Sequence, residues 1–97
     1  MNAARGETEL VIGGQARRLC LTLGALAEIE AAFGCTRIGE LEARMRALSA
    51  SDLLVVLAAL LRGGGETDLA GRLQAQDVTP GAAARAVAEA FRLGLAE

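Results

Sequence analysis

The chain has 97 residues, 10 basic against 12 acidic side chains, and a formal charge of -2. That length fits one domain with a single core, and the interspersed charge gives no electrostatic footprint for nucleic acid or an anionic membrane surface. Histidine is absent, which excludes zinc sites built on imidazole and Ser-His or Cys-His nucleophiles.

The apolar fraction of 53% comes mostly from Ala, Leu and Val, with Phe33 and Phe91 the only aromatics. Such a core is thin in volume per residue, so a partner subunit can supply part of the missing burial. The most apolar segment, Leu53 to Leu61, is about half of the ~20 residues a bilayer span requires. The opening MNAARGETE lacks an apolar run of signal-peptide type, so a cytoplasmic protein is expected.

Glu7 to Ile12, Gly13-Gly14 and Gln15 to Leu21 read as a β-hairpin, because a Gly-Gly loop accepts the positive φ angles of a tight two-residue turn. Pairing Ile12 with Gln15 puts Leu10, Ile12, Leu19 and Leu21 on one face and sets Glu9 opposite Arg18 on the other. An isolated hairpin is marginal in water, so its apolar face must cover helices or a neighbouring chain's sheet.

Thr22 is the expected cap, and Gly34 the expected stop, of a helix over 23–33 with Leu26, Ile29 and Phe33 as its buried stripe. A second helix over 38–48 repeats the pattern with Ile38, Leu41, Met45 and Leu48, while Glu40–Arg44 and Glu42–Arg46 are i,i+4 pairs suited to solvent. The run Ser49-Ala50-Ser51-Asp52 caps a third helix over 52–62, ended by Gly63-Gly64-Gly65. Its main apolar side holds Leu53, Val56, Leu57, Leu60 and Leu61, yet Val55, Ala58 and Ala59 make the other side apolar too. A helix apolar nearly all round is central in a core or partly uncovered for a partner. A short helix over 68–76 carries Leu69 and Leu73. Thr79-Pro80 then opens a last helix over 80–96, with Ala83, Val87, Ala90, Phe91 and Leu95 inward and Arg85, Glu89 and Arg92 toward water. The expected fold is therefore α+β, a hairpin followed by four to five short helices in one domain over 1–97.

Catalytic chemistry finds no foothold. Glu28 and Glu30 are two apart on a helix, so their side chains diverge by about 200° and cannot act on one bond. The loop RGGGET follows a helix and lacks the Lys-Ser/Thr of a P-loop, which makes it a helix stop rather than a phosphate cradle. Cys20 and Cys35 have neither CxxC spacing nor an imidazole base, and reduced, partly buried thiols are expected. No catalytic residue, cofactor site or metal site is assigned.

Three stretches carry a resemblance: RGETELVIGGQARRLCLTLGALAEIEAAFG from Arg5 to Gly34, SASDLLVVLAALLRGGG, and the AARAVAEAF helix. With the element Thr-Leu-x-Ala-Leu-Ala-x-Ile-Glu after a hairpin as its most specific part, the chain resembles the small phage-type tail proteins of gene transfer agents. Those families are described as tail tube proteins or as tail assembly chaperones. The resemblance implies a non-enzymatic tail protein. A tail assembly chaperone, which binds the long helical tape-measure protein while tube subunits polymerise around it, suits this chain better than a tube subunit, because one hairpin is too little sheet to build a ring. A structural subunit retained in the particle is the alternative. The implied partners are the tape-measure or other tail proteins, with homo-oligomerisation open and neither nucleic acid nor membrane involved. The surfaces expected to make contact are the hairpin face, Leu10, Ile12, Leu19 and Leu21, and the second side of the third helix, Val55, Ala58 and Ala59.

Overall fold

A computed structural model describes residues 7–76 and 78–96. It has the expected α+β architecture, a two-stranded antiparallel sheet followed by helices. Strands β1 (Glu7–Ile12) and β2 (Gln15–Cys20) pair with Ile12 opposite Gln15 and Glu9 opposite Arg18. Gly13 and Gly14 have φ of 60° and 83°, the left-handed pair that a two-residue turn needs and that residues with a Cβ rarely supply. Arg18 does not bond Glu9 across the ladder. Its ion pair, at 3.6 Å, runs diagonally to Glu7, which sits next but one on the same face.

Helix α1 (Leu23–Phe33) starts where the Thr22 hydroxyl accepts the Ala25 N–H at 3.0 Å and ends at Gly34 in the left-handed conformation. Helix α2 (Ile38–Met45) is shorter than the 38–48 expected. The chain tightens after Met45 into i→i−3 turns, Arg46 N–H to Ala43 O and Ala47 N–H to Arg44 O, which leave Ser49 in extended geometry to cap the next helix. That helix, α3 (Ala50–Gly63), begins two residues before the expected start, with a reciprocal capping box between Ser49 and Asp52. Such a box satisfies two otherwise orphaned N–H groups.

The single helix expected over 68–76 is two pieces, α4 (Thr67–Ala70) and a 3-10 turn (Leu73–Ala75). The break falls at Gly71-Arg72, where Arg72 N–H closes a turn onto Leu69 O at 2.9 Å. Helix α5 (Pro80–Gly94) has Thr79 as its cap and Pro80 in its first turn.

Helix α3 is the centre of the fold, packed against α1, β2, α4 and α5. Val56, Leu57, Ala59, Leu60 and Leu61 are all buried, so the core takes most of the helix's circumference. From the sheet side, Leu10, Ile12, Leu19 and Leu21 close over it together with Ile29, Leu41 and Val87.

The C-terminal end of α3 lies directly on the outer edge of β2. A Cβ placed on Gly63 would stand 2.2 Å from Cys20 O, and one on Gly64 2.2 Å from Arg18 O. Only a residue with no Cβ allows the helix backbone that close to the strand. The loop continues the cover: the Glu66 carboxylate accepts the Arg18 backbone N–H at 3.1 Å and the Arg17 guanidinium at 3.1 Å. The expected helix stop is thus also an edge cap, the device by which a sheet hides unpaired backbone groups.

Candidate protein-binding surface

The surfaces expected to touch a partner separate into buried and open groups. Leu10, Ile12, Leu19 and Leu21 pack inside the chain, as does Ala59 at 0% exposure. The hairpin face is therefore covered by this chain's own helices, which corrects its placement on an outer contact surface. Val55 remains 38% exposed and Ala58 is half-buried. Both line a shallow depression between α3 and the Ala70–Gln76 segment.

A second opening lies on the other side of α3. A groove of about 660 Å³ runs between α2 and α5, with Leu26, Leu41, Met45, Leu53, Val87 and Phe91 among its walls. Ile38 at one lip and Leu95 at the other are 47% and 44% exposed. Glu42, Arg46 and Arg92 ring it. An apolar floor with a polar rim is the form of a groove that takes an amphipathic helix.

This groove exists because α2 is held to the body at few points. Leu41 is its one buried residue. Arg44 makes two further ties: its guanidinium stacks 4.6 Å from the Phe33 ring centroid, and Nη2 donates to Asp52 Oδ1 at 3.2 Å. The backbone N–H of Ser49 and then the Arg44 guanidinium hold the Asp52 carboxyl below its ordinary pKa. At the other end of α2, the Thr36 backbone N–H does the same to Glu40, aided by the Thr36 hydroxyl. These charges organise the ends of α2 without filling its apolar side.

The two glutamates of α1 have separate settings. Glu28 forms a two-point ion pair with Arg62, Nε donating to Oε1 at 3.1 Å and Nη2 to Oε2. It joins α1 to the end of α3 beside the glycines that meet β2, a structural role in keeping with the divergence of Glu28 and Glu30 around the helix.

Of the residues expected inside, Met45, Leu48 and Phe91 are partly buried against the core and wall the groove, while Ile38 and Leu95 stand exposed as its lips. Cys20 and Cys35 form no disulfide. Among the described residues no group of three or more His, Cys, Asp or Glu is placed to hold a metal ion, and no helix is long and apolar enough to cross a membrane. The signal-peptide reading rests largely on Met1–Gly6, outside the described residues.

A helical body on a capped hairpin, with an open apolar groove, defines a small α+β protein. The family model described as phage tail tube protein, GTA-gp10, matches residues 5–97, and the chain belongs to that family. No curated protein and no solved structure matches it. The chain is a phage-type tail protein of the gene transfer agent kind, a structural rather than enzymatic family whose members work with other tail proteins.

Proposed function

We propose that this protein is a tail assembly chaperone that acts in the cytoplasm and binds helical segments of the tape-measure protein. The observation that carries the reading is the open groove between α2 and α5, whose apolar walls fit the apolar stripe of a partner helix. Val55 and Ala58, on the other side of α3, provide a second line of contact for a long partner that passes around the protein.

A tube subunit is the competing role, and the covered edge of β2 weighs against it. A ring closed by continuous sheet needs a head-to-tail strand contact, one edge of each hairpin meeting the opposite edge of the next. Here the Arg18 N–H is already bonded to Glu66, and the Cys20 and Arg18 carbonyls lie under Gly63 and Gly64.

Quantitative mass spectrometry of purified particles separates the roles. A chaperone is absent from finished particles or present only in traces, whereas copies in constant ring multiples per particle would make this chain a tube subunit.

A further inference from the structure

From Thr36 to Ala47 the chain forms one unit whose hydrogen bonds close on themselves. The Glu40 carboxylate accepts both the backbone N–H and the hydroxyl of Thr36 at 2.9 Å, and the Arg46 and Ala47 N–H groups turn back onto Ala43 and Arg44. Among the described residues no backbone hydrogen bond joins this unit to the rest of the chain. On one side Cys35 still belongs to α1, its N–H bonded to Glu30 O at 2.9 Å. On the other, Ser49 is fixed in the capping box of α3. The joints are therefore short, the Cys35–Thr36 link and Leu48, and hinges are built from a few element-terminal residues of this kind.

The ties that remain lie to one side of α2. Leu41 is buried, and Arg44 meets Phe33 of α1 and Asp52 of α3. Arg44 stands about 100–120° around the helix from Ile38 and Met45, the residues with which α2 lines the groove. Val87 and Phe91 of α5, with Leu95 just beyond it, form the other wall. Two apolar surfaces on either side of a groove gain by meeting, so Arg44 restrains α2 against a closure that its own apolar side favours.

We propose that α2 is a hinged flap that swings at Cys35–Thr36 and Leu48 to close onto α5, and that Arg44 is the latch that holds it back and keeps the groove open. The closed form packs Ile38 and Met45 against Phe91 and Leu95 and leaves no room for a partner helix. A partner helix binds the open form and shifts the population toward it. The motion belongs to the free chain, while its control of tape-measure binding rests on the function proposed above.

Pulsed electron spin resonance on the full chain measures the motion. Nitroxide labels at Ala43→Cys on α2 and Arg85→Cys on α5 occupy exposed positions outside the groove lining, and Cys35→Ser leaves the buried Cys20 as the only other thiol. Two distances are expected, the shorter a minority while Arg44 is present. Arg44→Ala is expected to raise the share of the shorter distance about threefold or more, the size of one exposed ring contact, with helix content by circular dichroism unchanged. A single distance that Arg44→Ala leaves in place overturns the proposal, as does a variant that lengthens the distance or loses helix. Added tape-measure protein is expected to remove the shorter distance. A complex that forms and keeps the shorter distance overturns the control of the groove by the flap. Failure of any complex to form counts against the chaperone reading instead, and the free-chain distances then decide the flap.

Discussion

Glu66 accepts the backbone N–H of Arg18 at 3.1 Å, so a single carboxylate in the loop after α3 satisfies an outward N–H of a strand 48 residues earlier in the chain. Arg17 donates to the same carboxylate from the neighbouring position. The hairpin is thereby tied to the helical body at its β2 edge by main chain and side chain together.

That tie makes stability acid-sensitive. The Arg18 N–H, followed by the Arg17 guanidinium, holds the Glu66 carboxyl below its usual range. A lowered folded-state pKa means that the unfolded chain takes up the proton first, so the Glu66 contribution is complete above the unfolded value of about 4.3. It is lost as pH falls through the lower folded value. In urea titrations from pH 7 to pH 3, wild type is expected to lose more stability than Glu66→Gln, with the two converging at the acid end. Parallel curves would contradict the tie.

Gly64→Ala places a methyl where Arg18 O stands at 2.2 Å, a clash between two backbones that no rotamer relieves. The expected cost is about 3 kcal/mol, the upper end of overpacking. Gly39→Ala is the control: nothing lies within 4 Å of its Cβ position in α2, and helix propensity predicts a gain of about 0.5–1 kcal/mol. Chemical denaturation of the two variants reads opposite signs.

Arg44→Ala removes both side-chain ties of α2, the Phe33 ring contact and the Asp52 hydrogen bond. The ring contact alone is worth about 0.5–1 kcal/mol at an exposed site. Amide exchange is expected to accelerate through Ile38–Met45 while Val56 to Leu61 keep their protection. Uniform acceleration would mean that α2 opens only with the whole domain.

Val55 and Ala59 are four apart on α3 yet differ in setting, at 38% and 0% exposure. Ala59→Asp buries an unpaired carboxylate and is expected to abolish the cooperative thermal transition, with a loss above about 3 kcal/mol. Val55→Asp is expected to leave the transition within a few degrees of wild type and to weaken partner binding. Equal collapse of both would place Val55 in the core.

The elements were legible where local chemistry decides them. Gly13-Gly14 set the hairpin register, Thr22 and Ser49 set helix starts, and Thr79-Pro80 opened α5 as read. The shortening of α2 and the break at Gly71 depended on turn hydrogen bonds that periodicity does not encode. The contact surface was less legible. An apolar face on a strand or helix looks the same in sequence whether its own chain or a partner covers it, so Leu10, Ile12, Leu19, Leu21 and Ala59 read as candidates although α3 and its neighbours enclose them. The role of Gly63 and Gly64 was hidden for a related reason: the residues that need their missing Cβ atoms, Arg18 and Cys20, lie more than forty positions away.

The proposed role is to keep a tape-measure protein soluble through the groove between α2 and α5. Its most direct test is co-expression of the tape-measure protein with the wild-type chain, with an Ile38→Asp, Leu95→Asp double variant, and alone, followed by quantification of soluble tape-measure protein. Both substituted residues are surface lips of the groove, so the variant is expected to fold. A soluble complex is expected with wild type, and a return toward the uncomplexed level with the variant. Tape-measure protein equally insoluble with and without the wild-type chain would contradict it.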